Sequence, residues 1–213
     1  ELDVEITQRK KRFLRGRIIR IIKPSPLRVE PLCRYYGNCG GCCYQHIRYD
    51  SQLAFKKKQV EDAFRKISKI ADPPVADVLA SPEIYHYRGK AQYHAEESFR
   101  GWTIGFLDVS GGRLVDIEHC ELMEETINRQ MRVLRESRKS LYSKSELAIW
   151  SDCSVGASGD EQSILRLVKG KSFLVPHGGF FQANLYLTDA MVDAVFRLAA
   201  LDEINTIIDA YCG

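Results

Sequence analysis

Long apolar runs are missing from this 213-residue chain. No stretch approaches the roughly 18 uninterrupted apolar residues that a membrane helix needs. The first residues, Glu1-Leu2-Asp3-Val4-Glu5, have neither the basic lead nor the apolar core of a secretion signal. No internal repeat and no low-complexity tract occurs, so collagen, mucin and coiled-coil readings are excluded. What remains is 45% hydrophobic and 28% charged, the balance of a globular chain for which a cytoplasmic address, no membrane partner and a monomer are expected. The length fits one or two domains.

Acidic residues are scarce at one end. Residues 1 to 70 hold 17 Lys or Arg against 7 Asp or Glu, a net of +10, whereas residues 71 to 213 hold 14 against 21, a net of −7. Within the basic part, residues 9 to 23 interleave Arg9, Lys10, Lys11, Arg12, Arg15, Arg17, Arg20 and Lys23 with Phe13, Ile18, Ile19, Ile21 and Ile22. β-Branched and aromatic residues in that spacing suit a strand with one face buried. A row of cations on the other face attracts phosphate, and equally protects an edge strand from aggregation.

The seven cysteines are Cys33, Cys39, Cys42, Cys43, Cys120, Cys153 and Cys212. An odd number without a secretion signal argues against a disulfide framework. Four of them fall between residues 33 and 43, a clustering that calls for a metal. Five residues separate Cys33 from Cys39 and two separate Cys39 from Cys42, and Gly40-Gly41 lets the backbone turn tightly enough to aim two thiolates at one centre. The best fourth ligand is Cys120, which follows an expected strand and sits on no apolar helical face. Three close ligands and one distant one suit an iron-sulfur cluster; zinc, whose usual signature is two close pairs, remains the competitor. Cys43 is read as packed or spare, Cys153 as an inert buried thiol, and His46 and His119 as hydrogen-bonding neighbours or nitrogen ligands.

The remaining text is α+β. Strands are expected over 2 to 8 and 11 to 23, ended by Pro24-Ser25-Pro26. A helix capped by Asp50 should run to about Ile70, with Leu53, Val60, Phe64 and Ile67 on its apolar stripe and a basic outer face. After Asp72-Pro73-Pro74 come strands at 75 to 79, 87 to 97, 102 to 109 and 114 to 117, then a helix from about Leu122 to Leu141 and strands at 146 to 150 and 162 to 168. Arg88, Lys90 and Gln92 alternate onto one face, suited to a nucleic-acid groove or to water. A helix starting at Asn184 or Thr188 reaches about Ala200, and Asn205 to Asp209 reads as an apolar strand entering a glycine turn, the opening of a nucleotide-binding α/β unit.

Taken in order, these pieces resemble the RNA uracil-5-methyltransferases, the S-adenosylmethionine-dependent family whose cluster-bearing members modify ribosomal RNA. The resemblance runs the whole chain. Its carriers are the basic strand before Pro24, the segment Cys33 to His46 with Tyr36-Gly37-Asn38-Cys39-Gly40-Gly41-Cys42, and Gln52-Leu53 ahead of the lysine-rich helix. Further carriers are Tyr87-Arg88-Gly89-Lys90, Gly105-Phe106, Val115-Asp116-Ile117 with Cys120, Phe181-Gln182-Ala183-Asn184, and Asp209-Ala210-Tyr211-Cys212-Gly213.

The resemblance implies three parts: a remnant of an OB-like, RNA-binding TRAM barrel over 1–27, an α+β central domain with a four-cysteine cluster over 28–178, and the start of a Rossmann-like α/β methyltransferase domain over 179–213. It makes Cys33, Cys39, Cys42 and Cys120 the ligands of a structural, non-radical 4Fe-4S cluster. It assigns Gln182 and Tyr211 to the S-adenosyl-L-methionine site, with Asp209 and Gly213 in the same loop. The family's chemistry adds a cysteine thiolate to C6 of uracil, methylates C5, removes the C5 proton with a base and eliminates the cysteine. Both catalytic groups of the family lie downstream of Gly213, and Cys212 is not that nucleophile. The chain therefore reads as cut at both ends and inactive alone; turnover of RNA and methyl donor by the purified chain would refute that. The implied substrate is 23S rRNA ahead of tRNA, with the target base flipped out of its stack. RNA contacts are expected on the basic N-terminal strand, the outer face of the 50 to 70 helix and the Arg88/Lys90 strand. The rival readings are a zinc-stabilised, non-enzymatic RNA-binding module over 1 to 120 and a ferredoxin-like electron carrier.

Overall fold

The computed structural model describes residues 1–98, 101–137, 146–152, 154–156, 162–199 and 206–210. Cys153, Tyr211, Cys212 and Gly213 thus lie outside the described residues. The chain divides into two compact units, Glu1–Arg34 with Cys43–Leu79, and Tyr35–Cys42 with Ala80–Gly213.

In the first unit, β1 (Leu2–Arg9) and β2 (Leu14–Ile21) form an antiparallel ribbon with two register shifts. Leu2, Val4, Ile6, Leu14, Ile18 and Ile19 are all exposed, because two strands give each other hydrogen bonds but no second layer to bury a face. Across the ribbon Glu5 pairs with Arg17 and Asp3 with Arg20, each in an ion pair of 2.8 Å, so two of the expected phosphate-seeking cations already face carboxylates. The loop after β2 folds back through Val29 N–H to His46 O (3.0 Å) and Arg48 N–H to Leu27 O (3.0 Å). Next, α1 spans Tyr49–Ala63 and continues as a π-helical turn, Phe64–Ser68, ended by Lys69 in the left-handed region (φ 59°).

Asp50 is not the cap of α1. It lies in the first turn, where its carboxylate accepts from the Ser51 N–H and binds Arg48. That pairing holds its pKa down at about 2. The expected stripe of α1 is exposed at Val60, Phe64 and Ile67, and residues 75–79 form no strand because they meet no ladder partner.

In the second unit, β3 (Lys90–Ser98), β4 (Gly101–Leu107), β5 (Leu114–Asp116), β6 (Glu146–Trp150) and β7 (Val155–Gly156) make a sheet in the order β5-β4-β3-β6-β7, antiparallel at every joint. Alternation along β3 sends Ala91, Tyr93 and Ala95 into the core. Helix α2 (Glu125–Glu136) lays Ile127, Met131 and Leu134 on that core with Leu147 and Ile149 of β6. It is shorter than expected, starting three residues later and ending at Glu136, after which Ser137 is extended. Trp150 joins a smaller core with Ile164 of β8 (Ser163–Val168) and Val175 of β9 (Lys171–Pro176), two strands paired as a hairpin. Then α3 runs Thr188–Ala199. The strand expected near 205 to 209 is not formed in the described part: Ile207 and Ile208 are 70% and 86% exposed. Among the described residues no strand pairs with this segment.

Candidate metal centre

The Cys39 turn is built on backbone contacts that demand glycine. Tyr35 O accepts from Asn38 N–H (3.1 Å) and Cys39 N–H (2.9 Å), with Gly37 at φ 86° between them. The turn docks on the β4–β5 hairpin through Gly40 N–H to Leu107 O (2.9 Å) and Val109 N–H to Asn38 O (3.1 Å). A Cβ on Gly40 would sit 2.8 Å from Asp108 O, so the approach is closed to any larger residue. Gly41 N–H points at Cys39 Sγ (3.4 Å), the kind of donor that stabilises a thiolate. Tyr35 ties the turn to the chain leading into Cys120, its hydroxyl accepting from Glu118 N–H at 3.0 Å.

Cys120 is held by a residue that sequence reasoning missed. Asn128, fully buried in α2, accepts from Cys120 N–H (2.9 Å) and donates through Nδ2 to Cys120 O (3.1 Å). The signal was an asparagine beside Ile127 on the apolar face of a helix. Such a residue needs buried polar partners, and a tight turn supplies both a donor and an acceptor.

Cys39 and Cys120 share one core, in which Tyr93 is fully buried. Its pKa is raised first by burial and then by charge on Cys120, against the opposing Arg88 guanidinium, with Cys39 adding to the rise. The Tyr93 hydroxyl finds no hydrogen-bond partner among the described residues. A buried O–H donor without an acceptor among the described residues, within electrostatic reach of Cys120 and Cys39, could donate to the sulfur of an inorganic group held there.

Among the described residues, Cys33, Cys39, Cys42, Cys43 and Cys120 form no disulfide. Cys42 is half-buried and Cys43 is exposed. Cys33 belongs to the first unit, where its N–H donates to Gln45 Oε1 at 3.2 Å. His46 lies in that unit too; burial and then Arg28 lower its pKa and favour the neutral ring. His119 faces Glu121 and Glu125.

The Gln182 segment is pinned at both ends. Phe181 packs on the Trp150 core, and Gly89 N–H donates to Ala183 O (3.2 Å) while Leu185 N–H donates to Tyr87 O (3.3 Å). A Cβ on Gly89 would strike Leu185 at 2.4 Å, so the glycine of Tyr87-Arg88-Gly89-Lys90 serves this docking. Gln182 itself is half-buried. Lys90 does not face a groove: its Nζ donates to Gly179 O (2.8 Å) and lies 4.4 Å from the centre of the Trp150 ring, with its pKa lowered by burial. Arg166 covers the same ring at 5.2 Å and donates to Gly89 O at 3.1 Å. These two cations make contacts within the fold, around Trp150 and Gly89.

No family model matches the sequence. Among curated proteins, an uncharacterized RNA methyltransferase of Halalkalibacterium halodurans is 34% identical over 140 residues, covering 66% of this chain and 31% of that protein. A tRNA (uracil(54)-C(5))-methyltransferase of Schizosaccharomyces pombe is 31% identical over 220 residues, covering 92% of this chain and 42% of that protein. An uncharacterized RNA methyltransferase of Thermotoga maritima is 25% identical over 100% of this chain and 61% of its own length. The chain therefore spans only part of each of these relatives. Among solved structures, the tRNA (uracil-54, C5)-methyltransferase of Pyrococcus abyssi in complex with S-adenosyl-L-homocysteine matches in fold, with a TM-score of 0.59 and 20% identity over 92% of this chain and 57% of that one.

Proposed function

The chain is a homologue of RNA methyltransferases, a tRNA uracil-54 C5-methyltransferase among them, and from that premise we propose that it is the cluster-bearing, RNA-positioning part of an S-adenosylmethionine-dependent RNA uridine C5-methyltransferase. In this reading Cys33, Cys39, Cys42 and Cys120 hold one 4Fe-4S cluster. Residues 1–27 belong to a TRAM barrel, 28–178 to the cluster domain and 179–213 to the start of the methyltransferase domain. Gln182, and Tyr211 outside the described residues, serve the methyl donor. When bound, S-adenosylmethionine supplies the electrophilic methyl group.

The observation that supports the cluster is the buried Tyr93 hydroxyl, which has no hydrogen-bond partner among the described residues and lies within electrostatic reach of Cys120 and Cys39. A fully ligated cluster has no open iron for substrate, so its role here is to brace the Cys39 and Cys120 turns that shape the RNA-facing domain. The 23S rRNA is the proposed substrate; tRNA is the rival, since the Schizosaccharomyces pombe relative is by name a tRNA (uracil(54)-C(5))-methyltransferase. The test is anaerobic purification of the full-length protein that carries this segment. Iron and acid-labile sulfide are quantified, and transcripts of 23S rRNA and tRNA are assayed for 5-methyluridine after reaction with labelled methyl donor. Expected are about four irons per chain and label in 23S rRNA. Stoichiometric zinc would replace the cluster reading, label confined to tRNA would replace the substrate, and no 5-methyluridine in either would overturn the function.

A further inference from the structure

His119, the residue before Cys120, belongs to a second group of metal-binding side chains. We propose that His86, His119 and Glu125 form a site for one divalent zinc-type ion, distinct from the cysteine centre. One ligand atom of each residue lies within 4.8 Å of the other two. The three come from separate places: the loop before β3, the residue preceding Cys120, and the first residue of α2.

The neighbours of these three side chains prepare them to ligate. His86 Nδ1 lies 3.0 Å from Met123 O. A carbonyl can only accept, so Nδ1 carries the proton and Nε2 keeps its lone pair for a cation. His119 presents Nε2 to Glu121 at 3.5 Å and Nδ1 to Glu125 at 3.8 Å. The negative charge of Glu121 favours the ring proton on Nε2, which leaves Nδ1 toward Glu125. Glu125 is steadied through its other oxygen by Arg132 at 3.1 Å. A carbonyl or carboxylate behind each imidazole is the arrangement that fixes tautomer and ring direction in protein metal sites.

The spacing suits an ion better than it suits direct contact. The gap between two of the proposed ligand atoms, His119 Nδ1 and Glu125 Oε2, is 3.8 Å, longer than a hydrogen bond. It approaches the separation, roughly 3.4 Å, of two ligands placed tetrahedrally on bonds of about 2.0–2.1 Å. Two neutral imidazoles and one carboxylate select zinc, cobalt or nickel over magnesium and calcium, and three protein ligands leave a fourth position for water. The side chains are 46%, 32% and 50% exposed, which leaves the ion a path from solvent. Once bound, it would clasp the His86 loop, the Cys120 turn and the start of α2.

Titration of the full chain with Co2+, followed by visible absorption, separates this site from the thiolates. Nitrogen and oxygen ligands give weak d–d bands alone, whereas thiolates add intense charge transfer. One Co2+ per chain with bands free of charge transfer is expected, displaced by Zn2+ and weakened at least tenfold in His86→Ala and in His119→Ala. Glu125→Gln, which preserves volume, should weaken it similarly, and His94→Ala should not. Circular dichroism checks folding of each variant. Cobalt bound through thiolates alone, no binding below millimolar, or an affinity unmoved by all three substitutions would overturn the site. Because the cysteines are read by their own charge-transfer band, failure here is distinguishable from failure of the cluster proposal.

Discussion

Tyr93 spends a fully buried hydroxyl on no partner among the described residues, and an unmade buried hydrogen bond costs about 1–3 kcal/mol. Without a cluster, Tyr93→Phe should therefore leave stability unchanged or raise it by about 1 kcal/mol in a urea melt. With a cluster loaded, losing a donor to sulfur should lower its reduction potential and speed its bleaching in air. A potential identical in the two proteins would remove Tyr93 from the cluster's surroundings. Asn128 is the opposite case, since both of its hydrogen bonds go to Cys120. Asn128→Ala strands a buried N–H and a buried carbonyl and should cost about 2–3 kcal/mol, read by thermal or urea unfolding. It should also loosen Cys120, seen as faster alkylation of that thiol in the apoprotein.

Among the elements, β4 and β5 depend on one residue without a side chain. Gly105 faces Asp116 across the pair, and a Cβ there would come within 1.9 Å of Val115 O. Backbone cannot yield as a flexible side chain does, so Gly105→Ala should part the strands and destabilise by about 3 kcal/mol. Urea denaturation measures it, and a loss under 1 kcal/mol would mean that the hairpin adjusts. The alternation of β3 and the Ile127, Met131, Leu134 face of α2 were legible because each buries a face against a neighbour at its own period. The α1 stripe was legible as a pattern but not as a contact: Val60, Phe64 and Ile67 lie on one face and are exposed. Periodicity reports which residues share a side and says nothing about what covers it.

At the scale of the molecule, the +10 of residues 1 to 70 is the main electrostatic feature. Glu5 and Asp3 stand opposite Arg17 and Arg20, so reversing those arginines would set like charges across the ribbon and confuse folding with binding. Neutralising Arg15, Arg17 and Arg20 to Gln is the cleaner experiment. These exposed ion pairs contribute little to stability, so the melt should stay nearly constant while RNA affinity falls. The slope of log K against log salt should shrink by about 2–3 if all three touch phosphate on single strands. An unchanged slope would place the RNA elsewhere.

The sequence alone determined what local chemistry can carry. That includes the spacing of Cys33, Cys39 and Cys42, the glycines that let one backbone touch another, the segregation of charge, and the faces of β3 and α2. Tertiary structure alone decided which distant residues meet. It put Asn128 on both sides of Cys120, an unsatisfied Tyr93 hydroxyl beside two thiols, Lys90 on Trp150 instead of in a groove, and His86 with His119 and Glu125. The physical reason is that periodicity and spacing act over a few residues, whereas these meetings join positions tens of residues apart and depend on how sheet and helix pack.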